Sequence, residues 1–360
     1  MTVQTPIPFS EAIQSVEDAN LRKIYSRLHD IGDLFVVKTP WKGKASKNSL
    51  SFPFCTPIGQ NDVKSVAQAL QNIFSLDGSH EALFEEKVNQ AGNGDGSELR
   101  RMATLHSSSL CALLHFWNVS KDNRVKICLN GTPVTFSNAF FEVRNRVFEK
   151  PSNVDVVLTG RSGKGRPVVL YLESKFSEYI MKSETGKTRT REKGFVSSRY
   201  FKLEWLGMSS ILQQLRLKEH QATDKQYFFA WEDGKNESPK WLYAEGIKQM
   251  IAHYLGICKE IEERFNGRVP KLSKLAKVET KQDAIFYLGI VLFDFCDAFS
   301  DKRNDFAILY RKLADELNKL QKTDRLHVVN EILTYSQLQS QLHLSEKTRQ
   351  FYYGDRNGRR

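Results

Sequence analysis

The stretch PVVLYLESKFSEYI, residues 167–180, decides how this chain is read. It opens as an almost unbroken apolar run and then sets Glu173, Ser174 and Lys175 where a strand would end. Such a run predicts a strand covered on both faces inside a sheet. Upstream, NVDVVLT (153–159) reads as a second strand, and GRSGKGR between them as a turn, so the two form a hairpin. Side chains two apart on a strand share a face, so Glu173 and Lys175 project together while Ser174 points the other way. The hairpin brings Asp155 beside them.

An acid two residues before a lysine occurs five times, at Asp62, Glu85, Glu173, Asp233 and Glu279. Context separates them. Asp62 and Glu85 fall in helical patterns, Asp233 in the turn EDGKN and Glu279 in a polar link. Glu173 and Lys175 alone end a buried strand preceded by a second strand that bears an acid. A structural ion pair at a sheet edge would need no chemistry. Burying several charges in strands this apolar is costly, however, and hydrophobic replacements stabilise as well. The pattern therefore points to function.

Two carboxylates and an ammonium suit phosphodiester hydrolysis. Carboxylates are hard oxygen ligands for Mg²⁺, with Mn²⁺ as its substitute, and such an ion keeps waters and takes substrate phosphate oxygens as further ligands. It acidifies a bound water and offsets charge on the phosphate, and a lysine beside it orients or deprotonates that water.

Asp155 in NVDVVL, followed after a hairpin by Glu173-Ser174-Lys175, resembles the PD-(D/E)xK nuclease superfamily of restriction endonucleases, junction resolvases and related DNA-processing enzymes. Val154 stands where that motif's proline would be. LHSSSLCALLHFW (105–117) with LESKFSEY (172–179) looks like an uncharacterised bacterial subgroup of the same superfamily. The resemblance implies an α/β fold with a restriction-endonuclease-like core, a central mixed β-sheet flanked by helices. Its order would be a helix within 136–150, the two motif strands, a helix at 241–265 and a strand at 284–293, with an extra segment at about 176–238. It implies Asp155 and Glu173 as metal ligands, the Ser174 carbonyl completing the shell, and Lys175 acting on the water. Glu142 in FFEVRNRVF would be an assisting acid from the first helix. Gln249 in EGIKQMIAHYLG would support the lysine or contact DNA. The activity implied is that of a DNA endonuclease. RNA as the substrate is a second version, and a nuclease-fold protein that binds nucleic acid without cutting is the alternative.

Outside this core the expectation is a mostly helical N-terminal region (1–97) and a mostly helical C-terminal extension (301–360), flanking a nuclease-like part at 98–300. Helical patterns cover Phe9–Leu28, Val63–Phe74, Glu81–Gln90, Leu99–Phe116, Met208–Glu219, Trp241–Phe265, Asp301–Leu320 and Ser336–Leu342. A strand is expected at Gln226–Glu232, and the turn-rich AGNGDGS (91–97) as a connection. Residues 334–352 have the length of a helix-turn-helix, but no glycine or core pattern marks the turn, and the expectation is against it. The segment 181–202 carries Lys182, Lys187, Arg189, Arg191, Lys193, Arg199 and Lys202 with Phe195, Tyr200 and Phe201 interleaved. It is a candidate clamp on a DNA backbone, with a solvated loop as the competing reading.

The whole chain of 360 residues carries 53 Lys and Arg against 42 Asp and Glu, a net charge of +11, which favours polyanionic partners. Its start shows no secretory pattern, and the longest apolar run (284–293) is far short of the roughly 20 residues a membrane helix needs. A soluble, cytoplasmic protein without a membrane partner is expected, and a homodimer is left open. Five cysteines without a CxxC pair argue against zinc. GRSGKG (160–165) and TGKT (185–188) both lack the phosphate-loop spacing. His106 and Ser107–Ser109 read as a helix cap or surface. His253, close to Gln249, reads as a core or surface histidine ahead of a site residue.

Overall fold

The computed structural model describes residues 5–32, 34–41, 44–53, 63–92, 99, 102–146, 151–181, 195–197, 217–223, 226–231, 241–265, 284–320 and 323–354. The first part holds β1 (Ile7–Pro8), α1 (Phe9–Gln14), α2 (Ala19–Tyr25), β2 (Phe35–Trp41), β3 (Lys44–Ser51), α3 (Val63–Phe74) and α4 (Glu81–Gly92). The single helix expected over 9–28 is two, because Ser15 closes α1 and the Asp18 carboxylate caps α2 by accepting the N–H groups of Asn20 and Leu21. Beside these helices, β1, β2 and β3 form an antiparallel sheet in the N-terminal part.

The central part continues with α5 (Ser108–Phe116), β4 (Val125–Leu129), β5 (Thr132–Arg146), β6 (Pro151–Ser162), β7 (Pro167–Lys175) and α6 (Glu178–Met181). After it come β8 (Phe195–Ser197), β9 (Leu217–Thr223), β10 (Gln226–Trp231), α7 (Trp241–Phe265) and β11 (Ile285–Leu292). The last part holds α8 (Ser300–Leu320), β12 (Leu326–Val328), β13 (Leu333–Thr334), α9 (Tyr335–Leu338) and α10 (Glu346–Tyr353).

The hairpin read from sequence is β6–β7, antiparallel from Arg161–Pro167 to Val156–Leu172. It lies inside a seven-stranded sheet in the order β12-β11-β7-β6-β5-β4, with β13 also paired to β11. The strands from β4 to β7 are antiparallel, and β11 joins β7 in parallel. A parallel neighbour needs a crossover, and α7 lies on it, packing on β5, β6 and β11. On the opposite face α4 packs on β5, and α5 on β6 and β7. Two covered faces explain why β7 is buried along nearly its whole length.

Further expectations are corrected here. The helix implied within 136–150 is, over its described residues, the long strand β5, which pairs with β6 along its length and with β4 over residues 132–136. In the C-terminal extension α8, α9 and α10 hold most of the described residues, and β12 and β13 extend the main sheet. Residues 217–219, read as the end of a helix, belong to β9. The helix expected over 336–342 shrinks to α9. The turn at 91–97 lies outside the described residues except for its first two positions, which end α4.

The sheet is curled, and its far ends are tied together. Asn130 and Gly131, both at positive φ (47° and 80°), make the tight turn between β4 and β5. From that turn the Asn130 side chain donates to the Val328 carbonyl (3.1 Å) and accepts from the Asn330 N–H (2.9 Å), bridging to β12. Buried apolar residues from all three parts of the chain form one continuous core. Phe351 of α10, for example, stacks against Phe9, Phe52 and Phe74. Among the described residues no helix is long and apolar enough to cross a membrane.

Candidate functional site

Glu142, Asp155 and Glu173 occupy one row across three neighbouring strands. The β5–β6 ladder pairs Phe141 with Val156 and Val143 with Val154, which sets Glu142 beside Asp155. The β6–β7 ladder stops at Val156–Leu172, and one step further along each strand Asp155 comes beside Glu173. Glu142 has φ 47°, a left-handed conformation that is rare for a residue with a side chain and re-aims the strand locally. The Phe141 N–H next to it is taken by Gln90 of α4 at 3.2 Å instead of by a strand partner.

Strand alternation does the rest. Glu173 and Lys175 both turn toward α7, where Lys175 Nζ lies 2.7 Å from Glu173 Oε1 and 2.8 Å from Gln249 Oε1. Gln249 Nε2 donates to the same Glu173 oxygen at 2.6 Å, closing a ring of three hydrogen bonds. Asp155 Oδ2 accepts the Ser174 N–H at 2.6 Å, so the two motif strands are pinned together where their ladder ends. Glu142, Glu173 and Lys175 are buried, and Asp155 is partly exposed.

Burial works against the charge on Glu173, but Lys175 and then His253 outweigh it and hold the carboxylate at about 2. Burial would likewise strip the proton from Lys175, yet the carboxylates of Glu173, Glu178 and Asp155 push its pKa well up. Lys175 Nζ accordingly acts here as a donor, to Glu173 and to Gln249. Asp155 goes the other way: burial, then the charges of Glu173 and Glu142, raise it well above the usual carboxylate range.

His253, which the sequence reading placed in the core or on the surface, lies in this site and is buried. Its Nε2 meets Glu173 Oε2 at 2.7 Å and its Nδ1 meets Ser152 Oγ at 2.6 Å. The signal was present, because Gln249 and His253 are four apart on one helix and so share a face. Ser152 carried no such signal. Gly256, one turn on, lets α7 lie close to β5, since a Cβ there would sit 2.8 Å from Asn145 Cβ. Glu178, also not anticipated, folds its carboxylate back onto the N–H groups of Phe176 and Ser177 (2.8 and 3.0 Å).

Ser174 turns to the other face, as alternation requires. Its Oγ lies 2.8 Å from the Tyr335 hydroxyl and 3.3 Å from the Ser108 carbonyl. Behind it, His115 Nδ1 bonds the Cys111 carbonyl (2.7 Å) and Nε2 the Tyr353 hydroxyl (2.8 Å). Burial lowers His115 to about 4 and raises the Cys111 thiol and the Tyr335, Tyr352 and Tyr353 hydroxyls, so this cluster is neutral. Ser107 caps α5 by accepting the Leu110 N–H, and His106 bonds Tyr25 at 2.7 Å, in line with the cap reading.

Among the described residues no group of three or more histidine, cysteine or acidic side chains is gathered tightly enough to enclose a metal ion. Mg²⁺ does not need such a cage. One or two carboxylates, waters and substrate oxygens suffice, and Asp155 and Glu173 are hard oxygen donors set side by side at a strand end. The donor set of Asp155 and Glu173 therefore fits the ion. Lys182, Lys187, Arg189, Arg191, Lys193 and Arg199 lie outside the described residues. Comparison with protein-family models, with curated proteins and with solved structures finds no match.

Proposed function

We propose that this chain is a Mg²⁺-dependent nuclease that hydrolyses phosphodiester bonds in DNA, built on a restriction-endonuclease-like core. The observation that carries the reading is the convergence of Asp155 and Glu173 with Lys175 at the end of a two-sided buried strand. The sheet supports it through the β6–β7 hairpin, the parallel β11 beside β7, and α7 on the crossover between them. Over the described residues 136–146 the first helix of that core has no counterpart, and Glu142 reaches the row from a strand.

Asp155 and Glu173 would hold the ion, which when bound acidifies water and offsets charge on the phosphate. Lys175 keeps its proton, so its part is to donate a hydrogen bond that orients the attacking water or meets a phosphate oxygen. Gln249 fixes the ammonium from the opposite side to Glu173. The net charge of +11 draws a polyanion to the molecule from a distance.

Nicking of supercoiled plasmid with and without Mg²⁺ or Mn²⁺ tests this. Asp155→Asn and Lys175→Ala should each lower cleavage by on the order of 10³-fold with the fold retained. Cleavage that survives both substitutions sinks the assignment. Salt-dependent DNA binding with no cleavage under any metal would instead support the non-cutting alternative, and faster cutting of RNA in a direct competition would move the substrate to RNA.

A further inference from the structure

We propose that His253 and Ser152 are positioning residues of this site: they hold the second oxygen of Glu173, so that its carboxylate meets a divalent cation in a single orientation. The inference rests on the metal-site reading above and adds two residues to it.

The argument starts from the acceptor capacity of one carboxylate. Its two oxygens offer about four lone-pair directions. Glu173 Oε1 is saturated, because Lys175 Nζ and Gln249 Nε2 both donate to it. Among the described residues Oε2 has one donor, His253 Nε2, which leaves one direction open to a ligand. A cation would therefore bind Glu173 through a single oxygen, on the side away from His253. That suits Mg²⁺, whose small octahedral shell favours one oxygen per carboxylate.

His253 can hold this position because it is itself held. Nε2 donates to Glu173, so Nδ1 is left to bond Ser152 Oγ, and the ring has a partner at each nitrogen. Ser152 sits three residues before Asp155 on β6, a spacing that on a regular strand would face the opposite side. β6 nonetheless delivers the Ser152 Oγ to His253 Nδ1 at 2.6 Å while Asp155 accepts the Ser174 N–H, so both residues border the site.

The test is Mn²⁺ binding to the full chain, read from the electron paramagnetic resonance of the free ion, with cleavage followed alongside. Fixing partners of a metal ligand are worth about 10–100-fold in affinity. His253→Ala should weaken Mn²⁺ binding by about that factor, and His253→Gln, which keeps an N–H donor, should recover most of it. Ser152→Ala should cost about 3-fold or more on the same basis. A folded His253→Ala protein that binds Mn²⁺ like the wild type overturns the proposal. If His253→Ala does not fold, Ser152→Ala carries the test, and unchanged affinity there overturns it. Loss of cleavage in Ser152→Ala as deep as in Asp155→Asn would make the serine a reacting group and also overturn it. A wild-type chain that binds no Mn²⁺, or an Asp155→Asn, Glu173→Gln double variant that binds it normally, fails the metal-site reading itself.

Discussion

The end of β7 has two faces, and they are built differently. Toward α7, Glu173 and Lys175 meet Gln249 and His253 in a buried set that includes full charges. Toward α5 and the C-terminal helices, Ser174 meets Tyr335, with Cys111, His115 and Tyr353 behind it, all neutral. Both faces bury polar groups and hydrogen-bond most of them, the buried Tyr352 hydroxyl on the neutral face being an exception. Only one holds charge against the cost of desolvation. A neutral network anchors a strand at little risk, whereas a buried charged one is kept where its field acts on something.

Three measurements press on that contrast. The largest effect is expected on the charged face: Glu173→Ala leaves the Lys175 ammonium buried without its main counter-charge and should cost about 3–5 kcal/mol of stability in urea unfolding. Ser174→Ala, one residue away, should cost only about 1 kcal/mol. Equal costs would mean that the two faces do not differ as described.

The second effect belongs to the neutral face and depends on pH. His115 is held at about 4 when folded, against about 6.5 in an unfolded chain. Between those values the unfolded chain binds the extra proton, so this contribution is fully present above pH 6.5 and is lost as pH falls toward 4. The loss should reach about 3 kcal/mol. Unfolding curves across that range, compared with those of His115→Gln, should isolate it. A parallel pH slope in the variant would remove His115 as its source.

The smallest effect is on the link between the faces. Tyr335→Phe removes one hydroxyl from Ser174 and should lower stability by about 1 kcal/mol, read as a shift in the urea midpoint. A much larger loss would show that the C-terminal helices hold the strand end chiefly through that bond.

Much of this site was legible before any tertiary contact was known. The apolar run of β7, its hairpin with β6, and alternation placed Glu173 with Lys175 on one face, Ser174 on the other, and Asp155 alongside. Gln249 followed from the family resemblance. His253 was visible as the residue one helical turn after Gln249, yet a single histidine on an amphipathic helix has no local mark that tells site from core. The Asn130-Gly131 turn was a readable hairpin signal that went unused, and the strand β5 was lost with it.

What the sequence determined by itself is therefore the geometry that a single strand or hairpin imposes, because alternation and turn chemistry act over a few residues. What only the tertiary structure decided is which distant groups close the site. The segment Thr132–Arg146 is a strand because β6 takes up one edge along its length and β4 the other over residues 132–136, and Glu142 joins the row because the β5–β6 register sets it beside Asp155. Ser152 and His253 lie 101 positions apart in the chain and 2.6 Å apart in the fold. No periodicity encodes that distance; it arises when α7 settles on the sheet, with Gly256 permitting the close approach.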